Sequence, residues 1–556
     1  MIEARKIPVG ISSFSKIREN HLYYVDKTRL IETFVEKGTA EVTLFTRPRR
    51  FGKTLTMNML ADFFDIQKDS RSLFEGLAIS DNQELCDQWM NQYPVLFLSF
   101  KNIDGFNFQS AYDLLSLNIA ELYKTHDYIL QDSKINPSDR NIFCRIMENR
   151  ASMSEIQMSL LLLTRLMQHH YGKPVILLLD EYDVPIAKAE AKNYYDQMIE
   201  IVSVMFSTAL KDNPNLQFAV ITGCLQITKE SIFTGTNNFI TDTISDNRYN
   251  EYFGFTSSEM KMILKDTGCE AYAEQIQSWY NGYRFGNLDI YCPWDVLNYI
   301  QKYLATGKAV PENFWEHTSD NSIIRRFLER TDFDITEKFE TLLNGDCICE
   351  QIEEHLTYNM LTSSEQNLWS LLYLTGYLTK AKDTSVKEKS YLQIPNKEIM
   401  EIFRKSVVEW FNDKSVHSDR SLLFQSFWTG EDQKLTELLS DLLFETISYH
   451  DYAESYYHAF LTGLFSCAGY IVESNYENGL GRSDVVIKDR KNRIAAVIEI
   501  KITTKENQSV NKCTDALQQI ENRKYAIAIE KEGYKKVLRY GIAFCKKRCM
   551  VICEKN

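Results

Sequence analysis

Proline and long apolar runs are scarce in this chain, which has 10 prolines among its 556 residues. No apolar run approaches the ~20 residues of a membrane-spanning helix, and the first residues have no apolar core before a small-residue cleavage site. C-x-x-C pairs are also absent among the 12 cysteines. These absences exclude fibrous and membrane-spanning classes and predict a cytoplasmic protein whose cysteines are reduced thiols.

Length and charge distribution together indicate several modules. A chain of this length suggests roughly three or four domains of the usual ~100–200 residues. Lys and Arg number 18 and Asp and Glu number 9 in residues 481–556, so this tail has a net charge of +9 and residues 1–480 carry −22. A basic module on an acidic body suits an end that faces nucleic acid, and it equally suits a solvated basic surface.

The densest group of cysteines, Cys545, Cys549 and Cys553, has the spacing C-x3-C-x3-C in the run AFCKKRCMVICEK. A metal site could use three such thiolates. The run fits better as two short strands around a basic turn, and we predict that arrangement.

Four continuous apolar runs early in the chain are typical of strands covered on both faces of a parallel sheet. They are VTLF at 42–45, PVLFLSF at 94–100, PVILLLD at 174–180 and LQFAVITG at 216–223. Helical patterns separate them, so residues 1–255 are predicted to form a doubly wound α/β domain. Residues 256–430 are predicted to be a helical lid and connector, and residues 431–556 a small α/β domain with a central sheet.

The segment TRPRRFGKTLTMNML, Thr46 to Leu60, joins the first run to a helical pattern. Its Gly-Lys-Thr matches the end of the P-loop pattern G-x4-G-K-[ST]. In that pattern the backbone N–H groups and the lysine bind phosphates, and the Ser or Thr hydroxyl binds Mg2+. Arg47 stands at the position of the first glycine, where it either shapes the turn or contacts phosphate. The alternative is a chance Gly-Lys-Thr before a helix. The candidate ATP-binding residues of this loop are Arg47, Pro48, Arg49, Arg50, Phe51, Gly52, Lys53 and Thr54.

The third apolar run ends in LLLDEYD, which places adjacent carboxylates where the ligand crevice of a parallel sheet lies. Asp180 is predicted to hold Mg2+ with Thr54, and Glu181 to polarise an attacking water. Thr222, at the end of the fourth run, is a candidate sensor of the γ-phosphate. Alternatively, the two carboxylates only cap the next helix. The choice of an arginine finger stays open between Arg248, Arg284 and Arg325.

A second constellation lies in GRSDVVIKDRKNRIAAVIEIKI, with Asp484 at the start of one strand and Glu499 and Lys501 near the end of the next. An antiparallel hairpin with its turn in Asp489–Arg493 brings Asp484 opposite Glu499 to within about two residues, and residues two apart point to the same face. Two carboxylates can hold Mg2+ or Mn2+, which activates water, while the lysine orients the nucleophile. The pattern also fits a salt-bridged exposed hairpin, although charge within an apolar strand is costly without a role.

Two predicted helices add polar side chains to this second constellation. Gln518 lies in ALQQI beyond the hairpin, and Glu454 and His458 lie in ESYYHAFLTGL before it. The local charge is positive, as a DNA-binding face requires.

Stretches along nearly the whole chain resemble bacterial proteins with an N-terminal AAA-ATPase-like domain and a C-terminal PD-(D/E)XK nuclease-like domain. They include TRPRRFGKTL, LLLDEYDVPI, ITGCLQITKESIFTGTNNF, WYNGYRFG, LWSLLYLTGYLT, SNYENGLGRSD and IEIKITT. In that family the loop also has the form RPRRFGKS or RPRRFGKT, so its arginine is the family's own variant. The resemblance implies a P-loop ATPase fused to a restriction-endonuclease-like fold, with Asp484, Glu499 and Lys501 matching the nuclease motif and Gln518 and Glu454 supporting it.

The leading hypothesis is therefore an ATP-regulated, Mg2+-dependent nuclease that acts on DNA, in mobile-element or phage-defence biology. The alternative is a nucleotide-dependent switch whose nuclease-like domain is inactive and only binds nucleic acid or a protein partner. The assembly state stays open, with a homo-oligomer as one alternative.

Overall fold

The computed structural model describes residues 6–37, 41–226, 239–315, 324, 336–356, 363–386, 389–415, 420–446, 454–478, 481–523, 529–530 and 532–554. The chain forms two compact units. The first comprises Met1–Phe314 and Cys349–Glu398, and the second comprises Trp315–Ile348 and Ile399–Asn556. Residues 256–430, expected as one connector, are thus divided between the two units.

A five-stranded parallel sheet with the strand order β2-β3-β4-β1-β5 forms the core of the first unit. Its strands are β1 (Val42–Thr46), β2 (Val95–Ser99), β3 (Val175–Asp180), β4 (Leu216–Gly223) and β5 (Phe239–Asp242). β1 and β3 are buried along their whole length, as their apolar runs predict. Because β4 lies between β1 and β3, the carboxyl ends of these three strands are adjacent at one edge of the sheet.

Helices flank the sheets of both units. In chain order they are α1 (Phe14–Glu19), α2 (Arg29–Lys37), α3 (Lys53–Phe64), α4 (Arg71–Phe74), α5 (Gln83–Trp89), α6 (Phe108–Thr125), α7 (Pro137–Met147), α8 (Met153–Gln157), α9 (Ser159–Tyr171), α10 (Val184–Ala191), α11 (Tyr195–Leu210), α12 (Ser257–Thr267), α13 (Ala273–Tyr280), α14 (Pro293–Thr306), α15 (Thr336–Leu343), α16 (Glu365–Leu374), α17 (Lys397–Ser415), α18 (Ser421–Thr429), α19 (Asp432–Thr446), α20 (Glu454–Cys467) and α21 (Ser509–Asn522). In the first unit, α3 packs against β2, β3 and β4, and α9 packs against β3.

Two small sheets interrupt the region that was predicted to be helical. One has the order β6-β8-β7 and the other β10-β11-β9. Their strands are β6 (Phe255–Thr256), β7 (Tyr283–Phe285), β8 (Leu288–Tyr291), β9 (Ile348–Glu350), β10 (Thr379–Val386) and β11 (Lys389–Gln393). The hairpin between β7 and β8 turns at Gly286, whose φ of 54° lies in the left-handed region that glycine adopts without strain. Strands of two or three residues, such as β6, β7 and β9, carry too few alternating residues to stand out against a helical pattern.

A five-stranded mixed sheet with the order β12-β13-β14-β15-β16 forms the core of the second unit. Its strands are β12 (Ile471–Asn478), β13 (Gly481–Asp489), β14 (Ile494–Ile502), β15 (Lys536–Cys545) and β16 (Arg548–Glu554). β14 and β15 are parallel, and the other neighbours are antiparallel. α21 packs against β14, β15 and β16, and α20 packs against β12, β13 and β14.

The cysteine-rich run at the end of the chain forms β15, a two-residue turn and β16. Cys545 ends β15, and Cys549 follows Arg548, the first residue of β16. The predicted pair of short strands around a basic turn is therefore confirmed.

The part of the chain that the structure describes contains no helix that is both long and apolar enough to cross a membrane.

Candidate functional sites

The candidate nucleotide loop connects the end of β1 to the start of α3. Gly52 is the residue that precedes the helix, and its φ of 89° lies in the left-handed region. No heavy atom of the described residues lies within 4 Å of a Cβ built on Gly52. The first N–H groups of a helix have no partner within it, so the loop offers such donors beside open space, where an anion can bind.

Lys53 is the first residue of α3, and its side chain turns back onto the loop. Its Nζ donates to the carbonyl oxygens of Arg47 and Pro48 at 2.9 and 3.0 Å. The Sγ of Cys224, just beyond β4, lies 3.6 Å from the same Nζ. The ammonium group is thus held against the loop by neutral carbonyl oxygens. Phosphate oxygens can replace these carbonyl oxygens because phosphate carries negative charge.

Arg47 occupies the position of the missing glycine and points into the protein. Its side chain is fully buried and forms an ion pair with Asp242, the last residue of β5. Its Nη1 also donates to the carbonyl oxygens of Thr46 and Asp242, and its guanidinium lies 4.9 Å from the ring centre of Phe253. Of the two roles left open for Arg47, these contacts favour shaping the turn, because the buried guanidinium has no surface to offer to a phosphate.

The other loop residues divide between the surface and the interior. Arg49 is exposed, whereas Pro48 is buried. Arg50 has a left-handed φ of 73°, and its guanidinium lies 5.7 Å from the ring centre of Trp294. Phe51 is buried, with its ring 5.0 Å from those of Tyr283 and Phe285. Arg50 and Phe51 therefore anchor the loop to the segment that includes the β7–β8 hairpin.

Asp180 joins the loop to the neighbouring strand ends. It is the last residue of β3 and is fully buried. Its Oδ2 accepts a hydrogen bond from Thr54 Oγ1 at 2.9 Å, and its Oδ1 accepts one from Thr222 Oγ1 at 2.6 Å. The structure thus brings together three predicted residues from β3, β4 and α3. A carboxylate beside the P-loop hydroxyl is the donor set that a nucleotide-bound Mg2+ needs.

Glu181 follows Asp180 in a strained backbone conformation. Its φ of 52° is uncommon for a glutamate, and such strain is concentrated at functional sites. Burial raises the pKa of Glu181, and the nearby Lys53 partly offsets the rise. The residue that precedes helix α10 is Asp183, so the alternative that Asp180 and Glu181 only cap that helix is wrong.

No arginine finger can be assigned from these contacts. Arg284 Nε donates to the carbonyl oxygen of Gly286 at 3.4 Å. Burial raises the pKa values of Asp242 and Tyr249, and the nearby Arg248 partly offsets both rises. Arg325 lies outside the described residues.

The second candidate site lies where β13 begins and β14 ends. Val485 pairs with Ile498, so the preceding Asp484 lies across from Glu499. Asp484 Oδ2 accepts a hydrogen bond from the backbone N–H of Ile500 at 2.7 Å. Lys501 Nζ lies 3.3 Å from Glu499 Oε1. The hairpin therefore brings the two predicted carboxylates and the lysine together.

Glu499 is the electrostatically strained member of this group. Its side chain is 2 % exposed, and burial together with the neighbouring Asp484 raises its pKa to about 7. Within the described residues its buried Oε2 has no hydrogen-bond partner. A Glu499 side chain that is only 2 % exposed contradicts the alternative of an exposed, salt-bridged hairpin. An unsatisfied buried carboxylate oxygen fits a divalent cation, which would neutralise its charge.

The number of protein ligands at this site is small. The described residues include no group of three or more His, Cys, Asp or Glu side chains that could hold a metal ion. Asp484 and Glu499 would therefore need backbone carbonyls, water or substrate oxygens to complete a shell of six. Such an open shell is typical of a catalytic cation and differs from a closed structural site.

The glutamine at the site is Gln519, the residue after the predicted Gln518. Lys501 Nζ donates to Gln519 Oε1 at 2.9 Å, and Gln519 Nε2 donates to Glu499 Oε1. Gln518 is exposed on the other side of α21. The apolar stripe of this helix includes Ala516 and Ile520, and a residue three positions after Ala516 lies beside that stripe. Helical periodicity could therefore have identified Gln519.

Gly541 lets α21 approach the sheet at the level of the site. It pairs with Glu499 across β14 and β15, and a Cβ built on it would lie 2.3 Å from the carbonyl oxygen of Cys513. Any side chain at Gly541 would push the helix, and Gln519 with it, away from Glu499.

The preceding helix, α20, contributes a buried histidine. His458 Nε2 lies 2.6 Å from the carbonyl oxygen of Asp484, and burial lowers the pKa of His458. The ring therefore supports the backbone of the first carboxylate. Glu454 begins α20, but its side chain lies outside what the structure describes.

Comparisons with known proteins agree with this division of the chain. Residues 8–233 match a family model described as a predicted AAA-ATPase. Residues 452–554 match the PD-(D/E)XK nuclease superfamily. A relative from Azotobacter chroococcum mcd 1, described as an uncharacterized protein in vnfD 5'region, is 27% identical over 542 residues, which cover 94% of this chain and 93% of that protein.

Proposed function

Because the chain carries an AAA-ATPase-like domain and a PD-(D/E)XK nuclease superfamily domain, we propose that it is an ATP-regulated, Mg2+-dependent nuclease that acts on DNA. The observation that carries the proposal is the buried Glu499 carboxylate beside Asp484 and Lys501. In this proposal the two carboxylates hold a divalent cation, whose chemistry is to activate water and stabilise charge on the phosphate. Lys501 orients the attacking water, and Gln519 holds Lys501 and Glu499 in place.

In the proposed ATPase site, Lys53 and the N–H groups of the loop bind the phosphates of ATP. Thr54 and Asp180 hold the accompanying Mg2+, and Thr222 fixes Asp180 from the next strand. Glu181 orients the attacking water, since its burial favours taking up a proton.

Contacts of Arg50 support the proposed coupling between ATP and cleavage. Its Nη1 donates to the carbonyl oxygen of Phe314 at 3.1 Å, and the N–H of Phe314 donates to the buried Glu398 Oε1 at 2.7 Å. Phe314 and Glu398 are the last residues of the first unit at two places where the chain passes to the second. A change of loop conformation on ATP binding would therefore act on Phe314 directly and on Glu398 through Phe314.

The test combines cleavage, ATP hydrolysis and melting on purified full-length protein, with plasmid DNA, ATP and Mg2+ or Mn2+. Lys501→Ala is expected to abolish cleavage and keep ATP hydrolysis, whereas Lys505→Ala, at an exposed lysine beyond β14, should change neither. Lys53→Ala should remove the melting shift that ATP produces in the wild type. Arg50→Ala should keep that shift but make cleavage independent of ATP.

Three results would contradict parts of this proposal. Unchanged cleavage by the Lys501→Ala variant would refute the assigned nuclease site. ATP-dependent cleavage by Arg50→Ala that equals the wild type would refute the coupling route. Hydrolysis of ATP without cleavage of any DNA or RNA offered would favour a nucleotide-dependent switch instead.

A further inference from the structure

A basic turn lies at the same edge of the second unit's sheet as the candidate nuclease site. β15 runs parallel to β14, with Lys501 beside Ala543, so both strands end at this edge. The two-residue turn between β15 and β16 follows at once. Its residues Lys546 and Lys547 are basic, and so is Arg548, which begins β16. We name these three residues the basic turn.

The protein holds the basic turn in a fixed position. Tyr457 of α20 donates its hydroxyl to the carbonyl oxygen of Lys546 at 2.7 Å, and its ring stacks on Phe544 with the centres 4.1 Å apart. The next residue of α20 is His458, which contacts Asp484 in the nuclease site. One helix therefore fixes both the first carboxylate and the basic turn, so their spacing is set by the fold.

The charged ends of the turn face solvent. Lys546 and Arg548 are exposed and Lys547 is half-buried. Arg548 lies 3.5 Å from Glu506, but both side chains are more than half exposed, and such surface pairs contribute little. The side chains of Lys546 and Arg548 can therefore be reached from solvent by an anionic partner.

We infer that the basic turn binds the sugar-phosphate backbone of the nucleic-acid substrate on one side of the scissile phosphate. This inference rests on the proposed nuclease function and names the surface that positions its substrate. Exposed lysines and arginines on a rigid turn bind phosphates without reading sequence.

The spacing suits a phosphate a few nucleotides from the cleavage point. A strand rises ~3.3 Å per residue and neighbouring strands lie ~4.8 Å apart. The backbone of Lys546 is therefore roughly 11 Å from the backbone of Lys501 and roughly 17 Å from that of Glu499. One strand of a duplex advances ~3.4 Å per nucleotide, so these distances correspond to roughly three to five nucleotides.

The opposite edge of the same sheet provides a matched control. The turn between β13 and β14 includes Arg490 and Lys491, both exposed, and lies where β15 begins, since Lys535 N donates to the carbonyl oxygen of Arg493. Lys546→Glu/Lys547→Glu and Arg490→Glu/Lys491→Glu change the net charge equally. The two double variants differ only in the edge of the sheet that they alter.

The experiment measures binding of full-length protein to a fluorescein-labelled duplex of about 30 base pairs by fluorescence anisotropy at several salt concentrations, with a chelator to prevent cleavage. The basic-turn variant is expected to bind more weakly and to lower the slope of log affinity against log salt by about two, one for each lost phosphate contact. The control variant should keep the wild-type slope. Melting curves of both variants verify that they fold.

Each outcome tests the inference about the basic turn independently of the proposed nuclease function. Equal loss of binding in both variants, or no loss in either, would overturn the inference and leave only a diffuse basic surface. A specific loss in the basic-turn variant would support the inference even if the wild type never cleaved DNA. Cleavage by the wild type with unaltered binding by the basic-turn variant would refute the inference alone.

Discussion

Replacing Glu499 by glutamine should remove a pH dependence from both cation binding and stability. Glu499 is buried beside Asp484, and these surroundings raise its pKa to about 7. A cation requires the ionised carboxylate, so protons and cations compete for this side chain. Glutamine has nearly the same shape and cannot ionise, so Glu499→Gln isolates the contribution of the charge.

The expected size follows from the raised pKa. The ionised fraction of Glu499 in the cation-free protein rises from about one tenth at pH ~6 to about nine tenths at pH ~8. The affinity for Mn2+ should therefore rise about tenfold over that range in the wild type. Glu499→Gln should bind Mn2+ weakly, with little change between these pH values.

Stability should change in the opposite direction in the cation-free protein. The pKa of Glu499 is raised on folding, so the folded state holds a proton that the unfolded state releases. Between pH ~4.5 and pH ~7 the free energy of unfolding should therefore fall as pH rises, by about 3 kcal/mol in total. Glu499→Gln should lack this component and become more stable relative to the wild type as the pH increases.

The assays are calorimetric titration with Mn2+ and denaturant unfolding in chelator, each at several pH values. Glu506→Gln is the matched control, because Glu506 is exposed and the substitution is chemically identical. A wild-type affinity for Mn2+ that stays constant from pH ~6 to pH ~8 would refute the reasoning. So would a Glu506→Gln variant that loses the pH dependence as fully as Glu499→Gln does.

Two further predictions concern residues whose roles the structure redefined. Arg47→Met should lower the free energy of unfolding by about 3–5 kcal/mol, because it leaves Asp242 buried without its partner. Adding Asp242→Leu should recover much of that loss. Denaturant unfolding of the single and double variants tests this prediction, and additive effects of the two substitutions would contradict it. Gln519→Ala should weaken both Mn2+ binding and DNA cleavage, whereas Gln518→Ala should affect neither, and equal effects of the two substitutions would refute the assignment of Gln519.

Strand ends were predictable from the sequence because parallel sheets obey simple rules. An apolar run that ends in Asp180 is typical of a buried strand whose carboxylate emerges at the ligand edge. Likewise, the turn predicted at Asp489–Arg493 and the antiparallel register placed Asp484 opposite Glu499 to within about two residues. In both cases a local sequence pattern was enough to predict where the carboxylates lie.

The partners of Arg47 and Lys501 were not predictable in the same way. Asp242 is 195 residues from Arg47 in sequence, and no local pattern relates them. The choice between Gln518 and Gln519 depended on a single helical step of ~100°, which turns a side chain from the site to solvent. β6, β7 and β9 were missed because strands of two or three residues are shorter than one period of a helical pattern.

The two candidate sites differ in how their buried carboxylates are satisfied. Asp180 receives hydroxyl hydrogen bonds on both oxygens, from Thr54 and Thr222, so its charge is compensated before any cation binds. At the other site, burial and the neighbouring Asp484 raise the pKa of Glu499 to about 7. A cation would therefore relieve more electrostatic strain at the second site than at the first.

This difference suits separate tasks for the two proposed metal-binding positions. A preformed site such as that of Asp180 gains little from a free cation and suits one that arrives with ATP. A site with an unsatisfied carboxylate attracts a cation directly and couples its occupancy to pH. The cation-dependent stability of the chain should therefore originate mainly at Glu499, and the nucleotide-dependent stability at the loop that begins with Arg47.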